Sequence, residues 1–504
     1  MPGMGGASGG MPGMGAVATP GGGAAGAATG GMPGMPGMGS AAGEVTTPNV
    51  ISALAVPRFQ VPLPRPSVLQ PTRTDDTTDY YALSMRAAQA EIVPGTRTPI
   101  WGFDGQYPGP TIRARRGRRV VVRQTNELAV PKAVHLHGGH VAPEMDGHPT
   151  DLIQPGQSRE YDYPNQQLGA TLWYHDHAMD RTAQGVAMGL AGFYLLEDDA
   201  EAALGLPSGE YDLPLVIQDR AFAADGSFEY PANGSMPLLM SGLLGDTILV
   251  NGAPYPRLEV AARKYRFRIL NGSNARHYML ALSTGQPFMA IAGDGGLLAA
   301  PVTVAALSLT PAERYEVVVD FSQIPVGSSV MLQNQMGQDG LAEVMRFDVV
   351  RRTDDPSTVP SVLRPFERLD PAQAAQTRDW TLDMQMGPGM MGGSPWMINR
   401  LPFDSKRIDA RPKLGSVEVW RFTNPSPMMH PMHVHDVMFQ ILDRDGQPPA
   451  PEEAGWKDTV HVPAGSAVRV IAKFVDYTGT YVFHCHILEH EDRGMMAQFE
   501  VVAG

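Results

Sequence analysis

The apolar pattern of this chain has a period of two. Residues 119–126 read Arg-Val-Val-Val-Arg-Gln-Thr-Asn, residues 265–271 Tyr-Arg-Phe-Arg-Ile-Leu-Asn, and residues 417–424 Val-Glu-Val-Trp-Arg-Phe-Thr-Asn. Such alternation puts apolar side chains on one face of an extended strand and polar ones on the other. Each run follows a turn, a short strand and a second turn. The lead-ins are Asp104-Gly105-Gln106-Tyr107-Pro108-Gly109-Pro110, Asn251-Gly252-Ala253-Pro254-Tyr255-Pro256 and Asn399-Arg400-Leu401-Pro402-Phe403. The closing residues, Asn126, Asn271 and Asn424, stand about 150 residues apart, one domain length. Gly/Pro turns break β-branched and aromatic alternation throughout, and long helical periodicity is scarce. The pattern predicts an all-β chain of three tandem β-sandwiches. Boundaries fall near residue 200, after Glu197-Asp198-Asp199, and in a proline-bearing linker from about 352 to 378. The predicted domains are therefore 75–200, 201–355 and 375–504.

Residues 1–74 have a different character. Gly, Pro, Ala and Met dominate the first 43, with Met-Pro-Gly-Met recurring at 1, 11 and 32. Such a stretch buries too little apolar surface to offset its ordering entropy, so it reads as disordered. Residues 45–74 read as an extended, proline-rich lead-in. A net charge of -13 argues against nucleic acid as a partner. The basic run Arg113 to Arg119 reads as a solvated turn entering a strand. One cysteine leaves no internal disulfide. No apolar run is long enough to span a membrane, and no signal-peptide pattern is visible.

Histidine placement brings in chemistry. All 14 histidines follow residue 130, and eight form four His-x-His pairs: His135/His137, His175/His177, His433/His435 and His484/His486. Chance placement would give about 0.4 such pairs. In a strand, i and i+2 share a face, so each pair offers two imidazoles to one metal cluster, and neutral imidazole suits copper. Two pairs fall in the first repeat, two in the third and none in the second. Eight ligands so divided imply a cluster at the interface of the terminal domains, with the middle domain as spacer. Eight imidazoles fit three coppers. The lone cysteine, Cys485, lies between His484 and His486, with His490 five residues on and Met495 ten. Two histidines, a thiolate and a weak thioether form a blue-copper electron-transfer set. The strand neighbours of Cys485 point to the opposite face, which leaves His484 and His486 for the cluster. His430, turned away from His433 and His435 by Pro431, is the candidate for the second histidine of the cysteine site. His140, His148, His277 and His461 are lone and read as structural or surface residues.

These motifs resemble the three-domain multicopper oxidases, which include laccases, bilirubin oxidases and bacterial copper-efflux oxidases. The matching segments are His135-Leu136-His137-Gly138, Trp173-Tyr174-His175-Asp176-His177, His430-Pro431-Met432-His433-Val434-His435 and His484 to Met495. The likeness covers roughly residues 75 to 504. It implies cupredoxin-like Greek-key domains and four copper ions, one type 1, one type 2 and two type 3. It assigns His430, Cys485, His490 and axial Met495 to type 1, His135 and His433 to type 2, and His137, His175, His177, His435, His484 and His486 to type 3. A methionine at 495 lowers the type 1 potential relative to an aliphatic residue. The implied reaction takes one electron at a time from a reductant through Cys485 and reduces O₂ to two waters. His490 or His430 is the expected entry edge for the donor. The family setting is periplasmic or secreted, and a monomer is expected.

Oxygen reduction needs protons at a buried site, and carboxylates are the natural relay. Asp146, just after the first pair, and Glu491, directly after His490, match acidic positions of the family. Their alternatives are a turn residue before Gly147 and a capping carboxylate. Glu489 and Asp492 are left unassigned. The methionines at 384, 386, 390, 391 and 397 read as a flexible loop above the cysteine site or as a Cu(I)-binding insert. The leading expectation is a laccase-like oxidase of phenols or aromatic amines. A metallo-oxidase of Cu(I) or Mn(II) is the second enzyme reading, and a copper-binding scaffold without turnover is disfavoured by the complete ligand set.

Overall fold

The computed structural model describes residues 48–231, 235–385 and 395–504. The low-complexity segment 1–43 and most of the Met-rich stretch lie outside the described residues. Residues 48–74 are extended, as expected. They run along the middle repeat through Leu63 N–H to Arg257 O (2.7 Å) and then along the first through Leu69 N–H to Thr111 O (2.9 Å).

Six sheets are present among the described residues, two from each repeat. One strand pairing recurs in all three copies. Arg119–Asn126 runs parallel to Thr78–Ala90, Lys264–Asn271 to Asp212–Arg220, and Val417–Thr423 to Gln376–Met384. The alternating strands are thus the ladder partners that each sandwich is built on. Their inward residues fill three separate apolar cores. In the C-terminal core Trp420 lies 5.1–5.4 Å from Phe483, Trp380 and Phe499. Each buried aromatic of this kind contributes about 1.5–3 kcal/mol.

The turns and the asparagines repeat for physical reasons. Asp104-Gly105, Asn251-Gly252 and Asn399-Arg400 all have positive φ at both residues, the geometry of tight hairpin turns that Asn, Asp and Gly tolerate best. Each strand-ending asparagine is buried and pins the following loop. Asn126 Nδ2 donates to Val130 O and Ile153 O, Asn271 Nδ2 to Arg276 O and Leu309 O, and Asn424 Nδ2 to Met428 O and Val462 O, all at 2.7–3.0 Å. The basic run is a charge-paired surface. Arg113, Arg115, Arg116, Arg118 and Arg119 each meet a carboxylate, from Glu197, Asp199, Asp198, Asp79 and Asp162 respectively.

Candidate metal centre

Strand register assembles the site. Gly479–Cys485 pairs antiparallel with His430–Val434, placing Met432 opposite Cys485 and His433 opposite His484. Val134–His137 pairs with Ala170–Asp176, placing His135 opposite His175. Alternation then sends Cys485 into the C-terminal core and His484 out of its other face. All eight paired histidines are buried and face one another across the first and third repeats.

At the cysteine, Sγ lies 3.5 Å from His430 Nδ1 and 3.7 Å from His490 Nδ1. A metal bonded to sulfur at about 2.3 Å and to imidazole at about 2.0 Å would hold S and N about 3.5–3.7 Å apart. The far nitrogens are engaged: His430 Nε2 by Ser426 Oγ (2.9 Å) and His490 Nε2 by Met240 O (3.0 Å). Both rings therefore turn Nδ1 to the sulfur. Met495 is fully buried in the same core, and its carbonyl accepts the Cys485 N–H at 3.0 Å. Burial pushes the Cys485 thiol up, with Glu491 and Glu489 adding to the effect. A thiol so placed needs a cation beside it to become a thiolate.

The other histidines form convergent sets. His177, His435 and His484 present Nε2 atoms 3.2–3.3 Å apart. His137, His175 and His486 form a second set, and His135 and His433 meet at 3.4 Å through Nε2. Two imidazoles on one tetrahedral ion would stand about 3.3 Å apart. Four of the second nitrogens are tied to a main-chain oxygen or a carboxylate. His135 Nδ1 meets Asp146 O (2.6 Å), His175 Nδ1 Asp176 O (2.8 Å), His433 Nδ1 Asp458 O (2.9 Å) and His435 Nδ1 an Asp146 carboxylate oxygen (2.7 Å). Such outer bonds fix ring orientation and leave the inner lone pair for a metal. His137 Nδ1, His175 Nε2 and both nitrogens of His486 are buried without a partner. Burial also holds His137, His175, His430, His433, His435 and His486 neutral, and lowers His177 and His490 to about 3. Neutral imidazole is the ligating form, and this donor set fits copper.

Asp146 is both a turn residue and a site residue, for Gly147 follows with φ +78° while the carboxylate meets His435. Glu491 is buried with one oxygen 3.1 Å from His484 Nδ1 and the other 3.4 Å from His177 Nδ1. Burial alone would raise its carboxyl, but His484 and His177 hold it down at about 2. Glu489 accepts from Asn274 at 2.9 Å, and Asp492 from the Thr182 and Ala183 N–H groups. The lone histidines are bonded: His140 to Asp436 and Asp476, His148 to Thr150, and His277 to Ser308 with its ring against His461.

Two expectations change. Neither His430 nor His490 shows an open edge, because Met240 of the helix Met236–Ser241 covers one nitrogen of His490 and Trp396 stacks on its ring at 4.1 Å. The middle repeat is also more than a spacer, since its Arg314 reaches Asp458 of the third repeat. Asp458, Arg314, Ser426 and Lys132, whose ammonium pairs with Asp176 at 2.5 Å, belong to no motif. Their bonds join residues far apart in sequence, and no local spacing signals them.

Multicopper oxidase sequence profiles match residues 84–201, 223–347 and 374–504. A laccase of Bacillus stratosphericus is 37% identical over 88% of this chain and 99% of its own. The chain belongs to the multicopper oxidase family. The crystal structure of a laccase from Pediococcus acidilactici superposes with a TM-score of 0.82 at 32% identity, over 91% of this oxidase and 98% of that chain. The multicopper oxidase from Campylobacter jejuni, described as a metallo-oxidase, superposes with a TM-score of 0.78 at 27% identity, over 91% and 98%. The three sandwiches are thus cupredoxin-like. The protein is a laccase-like oxidase with copper as cofactor, O₂ as electron acceptor and a reductant as the other substrate. No described helix is long and apolar enough to cross a membrane.

Proposed function

We propose that this oxidase takes single electrons from phenols or aromatic amines and holds four copper ions. In this reading His430, Cys485, His490 and Met495 bind the type 1 ion. His135 and His433 bind type 2. His137, His175, His486 and His177, His435, His484 bind the type 3 pair. One observation carries the assignment: the donor atoms fall into four groups, in three of which ring nitrogens, or the Cys485 sulfur and its two histidines, lie 3.2–3.7 Å apart, while those of His137, His175 and His486 lie within 4.8 Å of one another. Bound copper supplies one-electron acceptance at the cysteine and oxygen reduction at the histidine cluster.

The chain's own residues do the rest. Cys485 is bonded through the main chain to both His484 and His486, so the two sets are covalently joined. Ser426, the Met240 carbonyl and the Asp458 carbonyl orient His430, His490 and His433. Glu491, between His484 and His177, and Asp146, between His135 and His435, are carboxylates placed to relay protons to the oxygen side. Domain limits of 75–200, 201–355 and 375–504, a monomeric state and a periplasmic or secreted setting belong to the same proposal. The repeated strand pairing supports the limits.

A metallo-oxidase of Cu(I) or Mn(II) is the second reading, favoured by the likeness to the Campylobacter jejuni enzyme. Oxygen uptake by copper-loaded protein, measured with a phenol, with Cu(I) and with Mn(II), tests both. Faster uptake with either metal than with the phenol would replace the first reading by the second.

A further inference from the structure

Arg314 comes from the middle repeat, which supplies none of the paired histidines, yet it ends beside the cluster. Its side chain is fully buried. It grips Asp458 as a fork, Nη1 to Oδ1 at 2.7 Å and Nη2 to Oδ2 at 2.5 Å. It also donates to the carbonyls of Thr171 (3.0 Å), Ala312 (3.1 Å) and Asp294 (3.1 Å), so residues from all three repeats meet on one guanidinium. Asp458 in turn accepts from His137 Nε2 at 3.0 Å through Oδ1 and from His433 Nδ1 at 2.9 Å through its main-chain oxygen. The room for this fork is made by Gly138. A Cβ there would come 2.7 Å from Arg314 Nη2 and 2.9 Å from Asp458 Oδ2.

The consequence falls on His137. Its ring is held by Nε2, so the buried and unpartnered Nδ1 is the nitrogen left to face His175 and His486. We propose that Arg314 is a positioning residue of the oxygen-side cluster, acting through Asp458 to set which His137 nitrogen is presented to metal. The inference rests on the ligand reading above. A bidentate guanidinium–carboxylate pair fixes a plane and a direction that a lysine ammonium cannot.

The test uses the copper-loaded full chain with Arg314→Lys and Asp458→Asn, and Arg268→Lys as a control. Arg268 pairs with Asp212 in the same repeat. Copper per chain, the blue absorption, the EPR signal and the near-ultraviolet absorption are measured beside reoxidation by O₂. The expected result is unchanged blue absorption in Arg314→Lys and Asp458→Asn, altered EPR and near-ultraviolet signals, and reoxidation slowed at least tenfold. Arg268→Lys loses stability with wild-type spectra. If Arg314→Lys fails to fold, Gly138→Ala presses on the same fork and gives the same signature. Wild-type cluster spectra in Asp458→Asn and in Arg314→Lys or Gly138→Ala would overturn the proposal while leaving the ligand reading intact. A wild-type protein that cannot load the histidine cluster would instead overturn that reading.

Discussion

Replacing Asn424 with alanine should destabilise the C-terminal sandwich and bleach the blue site together. The side chain makes a closed set of buried bonds. Nδ2 donates one hydrogen to Met428 O (2.7 Å) and shares the other between Val462 O and Pro463 O (3.0 Å each), while Oδ1 accepts from Ser426 N–H (3.0 Å) and Ser426 Oγ–H (2.7 Å). At about 1 kcal/mol net for each bond, the loss comes to about 4 kcal/mol. Two of the abandoned partners, the Ser426 N–H and the Val462 carbonyl, are left buried, which places the cost at the upper end of single substitutions. The effect does not stop at stability. Ser426 Oγ holds His430 Nε2 at 2.9 Å, so a loosened Ser426 frees the ring that faces Cys485. Asn271→Ala is the matched control. Asn271 makes the same kind of bonds, to Arg276 O, Leu309 O and the Ser273 N–H, but the Ser273 hydroxyl meets Tyr278 and not a histidine. Apparent unfolding midpoints in denaturant, followed beside the blue absorption of copper-loaded protein, separate the two effects. Both variants should unfold earlier, and only Asn424→Ala should lose blue intensity. Equal bleaching in Asn271→Ala, or wild-type intensity in a clearly destabilised Asn424→Ala, would refute the coupling.

Glu491→Gln removes a carboxylate set between His484 and His177. It should keep the blue colour and slow reoxidation by O₂ about 100-fold, and rapid-mixing measurements that show wild-type rates would remove Glu491 from the relay. Met495→Leu should raise the potential of the cysteine site, and a redox titration showing a fall would contradict the axial role. His140 sits between Asp436 and Asp476; burial would lower it, but its bond to Asp436 raises it to about 9. A raised histidine stabilises the fold fully below its unfolded value near 6.5 and loses that contribution as pH climbs through 9. The metal-free protein should therefore lose about 3 kcal/mol between pH 6.5 and 9 that His140→Gln does not lose, and parallel melting curves at the two pH values check it.

The legible parts of this protein are those in which chemistry and spacing coincide along the chain. A strand puts every second residue on one face, so four His-x-His pairs and a cysteine between two of them already describe two metal sets back to back. The asparagine at the end of each alternating strand was visible as a repeat, and its reason, a buried corner that pins the next loop, is visible only in the fold. The proton candidates were named by likeness to acidic positions of the family; in the fold Asp146 meets His435, and Glu491 meets His484 and His177, none of them a sequence neighbour.

Arg314 and Asp458 were not readable, and the reason is general. Their contacts span 144 and 321 residues, from Arg314 to Asp458 and from His137 to Asp458, and no periodicity encodes a meeting of that kind. Counting histidines gave the middle repeat no role, since it holds none of the pairs. Counting outer bonds gives a different answer. A ring nitrogen is fixed toward a metal when the other nitrogen is held, and for His137 that hold is Asp458, itself gripped from the middle repeat. Orientation of the proposed ligands is therefore distributed over three repeats, although the paired histidines lie in only two. The middle repeat should not be removable without loss of the oxygen-side signals, even if the flanking repeats were rejoined with their histidines intact.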